Sequence, residues 1–187
     1  MREPTFLSGH FLIAMPALGD SQFARSVTFL CQHGEEGAMG LLVNRVSDYC
    51  LGDVLAQMKL SCEDSGISEA PVLFGGPVQP ERGFVLHEAS GDWDSSFRIS
   101  ERLAITTSRD ILAAIAGGRG PRRALVALGY AGWSAGQLEQ EVRDNSWLTV
   151  EASEQILFET PLEQRWSAAA ALVGVDVAQL TGYAGHA

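Results

Sequence analysis

With 187 residues, 46% of them hydrophobic and 19% charged, the chain has the size and composition of one globular domain whose core needs neither disulfides nor metal. Thirteen basic residues against 23 acidic ones give a formal charge of −10, and that field opposes approach to nucleic acid or to an anionic membrane. The three cysteines contain no C-x-x-C pair and fit a reducing compartment, while no apolar run approaches the ~18 residues that span a bilayer. The apolar stretch Phe11 to Leu18 is interrupted by Pro16 and lacks a charged leader segment before it, so no signal peptide is expected. Together these features predict a cytoplasmic protein.

Phe11–Pro16 reads as a first strand, followed by a turn at Gly19–Asp20. Val27–Cys31 and Ala38–Val43 read as two strands around HGEEG, a hairpin whose loop is expected to exceed two residues. Leu51, Leu55 and Met58 recur at helical spacing, and Ser61 to Glu69 reads as a polar loop. Further strands are expected at Val72–Phe74, Gly83–His87, Phe97–Ile99 and Leu103–Thr106, with Thr107 and Asp110 capping a helix through Ile111, Leu112 and Ile115. Ala124–Tyr130 is almost wholly apolar and predicts a central strand. A helix over Ala135–Arg143 follows, then strands at Trp147–Val150 and Ile156–Phe158. A helix capped at Thr160-Pro161 and a short turn capped by Asp176 complete the chain. The irregular order of strands and helices predicts an α+β fold with a mixed sheet.

One motif carries a catalytic signal. Gly132-Trp133-Ser134-Ala135-Gly136 matches G-x-S-x-G, with a strand before it and a helix after it, as in a serine hydrolase. The usual order places an acid and a histidine after the serine, and only His186 follows Ser134. Gln137 lies three residues on, so S-x-x-Q offers a capping box as the structural account of Ser134. Cys31 and His33, two apart on a strand, are expected to face one side, with His87 the obvious third ligand. The spacings that build metal sites are absent, and no metal or cofactor is expected. Arg119, Arg122 and Arg123 lack interleaved aromatics and read as a solvated loop rather than a phosphate clamp.

Several blocks resemble the AlgH/YqgE family: LSGHFLIAMP near the start, RSVTFLCQH at Arg25–His33, GAMGLLVNR at Gly37–Arg45 and VLFGGPV at Val72–Val78. RGFVLH, ITTSRDIL, LGYAGWSAGQLEQE and NSWL follow in order. The resemblance covers most of the chain and implies a single α+β domain over residues 1–187, built on a partly rolled mixed sheet with several packed helices. It implies no established reaction. Some members are described as transcriptional regulators after a link to alginate production, a description that rests on phenotype rather than on a DNA-binding motif.

The expected function is therefore binding of a protein or small-molecule partner, with any regulatory role indirect. A serine hydrolase using Ser134 and a DNA-binding regulator stand as alternatives, the second opposed by the net charge and by the lack of a reading helix. Candidate binding residues are Asn44 and Arg45 at a strand end, Gly75, Gly76 and Pro77 in a tight turn, and Trp133 and Gln137 in the GWSAGQ segment. Trp133 is expected to offer an apolar platform, and the three segments to surround one concavity.

Overall fold

The computed structural model describes residues 6–14 and 24–174. In chain order it forms β1 His10–Ala14, β2 Val27–Gly34, β3 Gly37–Leu42, β4 Val46–Cys50, α1 Leu51–Gln57 and α2 Ser65–Ser68. Next come β5 Pro71–Phe74, β6 Val78–Glu88, β7 Ser96–Arg98, β8 Leu103–Thr106 and α3 Arg109–Ala116. The last part holds β9 Ala124–Ser134, α4 Gln137–Arg143, β10 Trp147–Glu151, α5 Glu154–Phe158, a 3-10 turn at Leu162–Gln164 and α6 Arg165–Leu172. Strand pairing is antiparallel except between β5 and β9, which run parallel, so the fold is α+β with mixed pairing, as the pattern predicts. Chain contacts divide it into two compact units, residues 1–44 with 131–187 and residues 45–130.

In the first unit the strand order is β10-β1-β2-β3, and the end of β9 pairs with β3 from Gly37↔Ser134 to Gly40↔Ala131. Alternation along the strands sends Leu12, Ala14, Leu30 and Leu42 to one face. There they bury against Leu138 of α4 and against Trp133 and Trp147. Helix α6 packs on β1 and β2. The Trp166 indole donates to the Ala14 carbonyl at 3.1 Å. Arg165 is buried, and burial lowers its pKa; its guanidinium donates to the carbonyls of Val43 and, at 2.9 Å, Thr160, the compensation a buried cation requires.

In the second unit the order is β7-β8-β6-β9-β5-β4, with β9 between β6 and β5 and paired on both edges at Ala127 and Leu128. Leu51 and Leu55 of α1 and Ile111 and Leu112 of α3 bury against Val72, Val85 and Val126. The central-strand expectation for Ala124–Tyr130 therefore holds, because a continuous apolar run suits a strand covered and paired on both sides.

Several local expectations are corrected. The β2–β3 loop is only Glu35–Glu36, since Gly34 pairs with Gly37. Residues Ile156–Phe158 are helical, because Ser153 accepts from the Ile156 N–H at 3.3 Å and starts α5 there. Pro161, rather than Thr160, is the N-cap of the 3-10 turn at Leu162, and the Thr160 hydroxyl turns back to the Gln155 carbonyl. At α3 the N-cap is Ser108 rather than Thr107, and the Asp110 carboxylate binds the Ser108 hydroxyl and, at 2.8 Å, the Asp94 N–H. The polar loop Ser61 to Glu69 contains α2, begun by Asp64 accepting from the Gly66 N–H. The strand β4 has no periodic apolar signal and is mostly exposed; there the Ser47 hydroxyl donates to the Val72 carbonyl at 2.7 Å within an irregular register. The expected turns at Gly19–Asp20 and Asp176 lie outside the described residues.

The tightest backbone approach lies in β9. Between the pairs Val78↔Tyr130 and Gly83↔Leu128, residues 79–82 of β6 face the single residue Gly129. Gly129 has φ 77°, and a Cβ there would stand 2.2 Å from the Gly76 carbonyl oxygen, a position only glycine tolerates. Gly129→Ala should cost about 3 kcal/mol or more by urea denaturation, combining a left-handed backbone with a backbone clash. Gly83→Ala, which meets nothing within 4 Å, should stay within about 0.5 kcal/mol of wild type. Equal stability of both variants would refute the close-approach account.

Candidate functional site

The candidate site in the first unit begins with an irregularity in β2. Leu30 pairs with Gly40 while Gln32 pairs with Met39, which leaves Cys31 as an extra residue. Partners two apart on β3 share a face, so Ala38 and Gly40 carry their opposites His33 and Leu30 to the same side. The bulge therefore corrects the expectation that Cys31 and His33, two apart on a regular strand, face one side. The Cys31 thiol donates to the Phe29 carbonyl at 3.8 Å, and burial pushes its pKa up to about 12. His33 turns instead toward α4.

Both ring nitrogens of His33 are committed. Nδ1 accepts from the Leu7 N–H at 2.9 Å, so the proton sits on Nε2, which donates to Glu139 of α4. The His33 N–H binds the Ser8 hydroxyl at 3.0 Å, and the Phe6 ring meets the imidazole edge to face at 5.2 Å. Two residues along α4, Glu141 serves different partners. Its Oε1 accepts from the indoles of Trp133 and Trp147, at 3.0 and 2.9 Å, and its Oε2 accepts from Gln137 at 2.9 Å. The two indoles lie edge to face with centroids 6.0 Å apart. One carboxylate thus satisfies two buried indole N–H groups that would otherwise be orphaned.

Ser134 ends β9 and is not the residue that caps α4. The N-cap is Gly136, in a left-handed conformation with no side-chain cap. Half of the expected box survives, because Gln137 Oε1 accepts from the Ser134 N–H at 2.9 Å. The Ser134 hydroxyl also goes to Gln137 Oε1, at 3.2 Å, and no histidine nitrogen among the described residues bonds to it.

The remaining sequence candidates fall into separate groups. Trp133 and Gln137 meet through Glu141, but Trp133 is 7% exposed, so it offers no surface platform. Asn44 spans the start of β2, accepting from the Val27 N–H at 2.9 Å and donating to the Arg25 carbonyl at 3.0 Å. Arg45, Gly75, Gly76 and Pro77 belong to the second unit. There the Arg45 carbonyl accepts from Phe74, and the Gly75 N–H is used by Leu128 at 2.8 Å. His33, Glu139 and Glu141 were missed as site residues. The signals available were a histidine beside a strand irregularity and two glutamates after the tryptophan, and only the fold pairs them.

His87, the third metal candidate, lies in the second unit. Its Nδ1 donates to the Glu88 carbonyl at 2.6 Å and its Nε2 meets the Thr106 hydroxyl at 2.7 Å. Burial pulls its pKa below the ordinary histidine value, with the Glu88 carbonyl partly opposing the shift. Among the described residues no group of three His, Cys, Asp or Glu side chains is placed to hold a metal.

Two measurements test these roles. Glu141→Ala should destabilise by about 3 kcal/mol, the cost of leaving buried indole N–H groups unpaired, with altered tryptophan fluorescence in the folded state. A loss below about 0.5 kcal/mol would mean that the indoles find other acceptors. For His87, the unfolded chain binds its proton below about pH 6.5, while the native state resists it. Stability should therefore be insensitive to this group at higher pH and fall as pH drops through that value toward the lower native pKa. His87→Gln should flatten that fall in urea midpoints compared at about pH 7.5 and about pH 5.5, and an unchanged slope would contradict it.

Comparison with known proteins places this architecture. Residues 11–178 match the family described as DUF179, AlgH-like. The chain is 57% identical over 184 residues to a UPF0301 protein of Xanthomonas campestris pv. campestris, covering 98% of each. It is 54% identical, at the same coverage, to a UPF0301 protein of Methylococcus capsulatus. The solution structure of the AlgH protein from Pseudomonas aeruginosa superposes with a TM-score of 0.81 at 50% identity, over 100% of this chain and 99% of that one. The crystal structure of protein DIP2367 from Corynebacterium diphtheriae shares the fold at a TM-score of 0.69 and 22% identity, over 90% and 87% of the two chains. With the family match and these full-length relatives together, the chain belongs to the AlgH-like family.

Proposed function

We infer that this protein acts in the cytoplasm by binding a protein or small-molecule partner rather than by catalysing a reaction, and that any influence on transcription is indirect. The observation that carries the reading is the commitment of its reactive groups. Both nitrogens of His33 and the hydroxyl of Ser134 are used in hydrogen bonds that hold the fold, so among the described residues the G-x-S-x-G serine has no histidine bonded to it to serve as the base that nucleophilic catalysis requires. Charge adds support. The first unit has twelve acidic and four basic residues, a net −8, and the second eleven and nine, a net −2. A surface so acidic disfavours direct DNA contact. Among the described residues no helix is long and apolar enough to cross a membrane.

The surface offered to a partner in the first unit is the exposed run Ser134 to Gln137. In the second unit the Gly75-Gly76-Pro77 turn is a separate candidate, where Pro77 is exposed. Wild-type protein should stay unlabelled by a fluorophosphonate probe. In native pull-downs, Ser134→Arg should lower partner recovery about tenfold while leaving the urea midpoint near wild type. Stoichiometric labelling of Ser134, lost in Ser134→Ala, would replace binding with hydrolysis as the function.

A further inference from the structure

The contact between His33 and the chain start has a property that the static fold does not use. Leu7, Ser8 and Gly9 lie along β2 in a short strap. The Leu7 N–H donates to His33 Nδ1, and the Leu7 side chain packs on the core of Leu12, Leu30 and Trp133. Phe6, 40% exposed, rests against the imidazole. Gly9 is held independently, since its N–H donates to the Leu30 carbonyl at 2.8 Å and its carbonyl accepts from Ala152 at 3.1 Å. Gly9 has φ 80°, and the His10 N–H donates to the Leu7 carbonyl at 3.0 Å across it, closing a turn from Leu7 to His10.

We propose that His33 is a proton-operated latch on the strap, holding the Leu7 amide when neutral and releasing it when protonated. A neutral imidazole with its proton on Nε2 is the only form that both accepts from Leu7 and donates to Glu139. Adding a proton places N–H against N–H at Leu7, and that hydrogen bond is lost. The ring cannot turn away to relieve the clash, because the new positive charge tightens its hold on the Glu139 carboxylate. The Leu7 amide is therefore the group that gives way, while the Leu7 carbonyl and the Ser8 hydroxyl keep their bonds to the N–H groups of His10 and His33. The surroundings favour this direction of response. Facing the imidazole, α4 supplies Glu139, and Glu141 beyond it is already bound to two indoles and Gln137. The β2–β3 turn adds Glu35 and Glu36, and β3 places uncharged Ala38 opposite. From β1 comes His10, whose Nδ1 lies 3.4 Å from the Ser8 carbonyl; the strap itself carries no charged side chain. This device stands apart from the partner-binding reading and is tested without a partner.

The test follows the Leu7 amide by NMR hydrogen exchange, normalised at each pH to the rate of an unstructured chain. Between about pH 8 and about pH 5, the interval over which histidines titrate, Leu7 protection should fall about tenfold, while Gly9 protection holds. In His33→Asn the side-chain oxygen accepts from Leu7 at either pH, so that variant should keep its protection throughout. Glu139→Gln removes the charge that stabilises the imidazolium and should shift release to lower pH. Constant Leu7 protection while the His33 ring titrates, or no titration of the ring in that interval, would overturn the latch. So would loss of protection persisting in His33→Asn, or release at an unchanged pH in Glu139→Gln, an arm that decides even if the asparagine variant folds poorly.

Discussion

Backbone pairing of Ala124–Ser134 is the constraint on which both units depend. Within the second unit residues 124–128 and 130 of β9 pair with β6, and Ala127 and Leu128 also pair with β5 on the other edge, while residues 131–134 pair with β3 within the first unit. A strand with a neighbour on each side sits centrally in its sheet, and the apolar composition of this one suits that place. The left-handed Gly129 marks the one point where β9 stands alone against four residues of β6, with the Gly76 carbonyl filling the space that a side chain would need. The backbone of the GGPV turn thus sets the requirement for glycine in the LGY block.

Around the end of β9 the governing physics is satisfaction of buried polar groups. Trp133 and Trp147 bring large apolar surfaces into the first core, and each carries an N–H that must find an acceptor. Glu141 answers for both, while Glu139, on another side of the same helix, accepts the hydrogen bond from His33 Nε2. A short helix of seven residues is fixed against the sheet by two carboxylates rather than by length or propensity. The same commitments tie His33 to Leu7 and Glu139 and Ser134 to Gln137, so among the described residues no histidine bonds to the serine of the G-x-S-x-G motif.

Much of the secondary structure was legible in the residues alone. Helix α1, strands β5 and β8 and the central strand β9 follow from apolar periodicity and continuous apolar runs, which are local properties. Local signals failed where tertiary context chose between similar options. Ile156–Phe158 is apolar enough for a strand, yet the Ser153 cap makes it helical. Strand β4 has no alternating pattern to announce it, because it lies at an edge with its side chains largely exposed and a serine hydroxyl standing in for ladder bonds.

Composition and pattern by themselves determined the α+β class, the acidic and disulfide-free character, and the family blocks in their order. They did so because charge, apolar content and short-range periodicity are properties of the chain before it folds. Only the tertiary structure decided which polar groups meet. A single bulge at Cys31 moved His33 to the α4 face, buried Trp133 lost its role as a platform, and Ser134 acquired Gln137 rather than a histidine as its partner. Hydrogen-bond partners 100 or more residues apart, such as His33 and Glu139, depend on strand register, and one extra residue in a strand changes every pairing beyond it. That dependence has no local trace in the sequence.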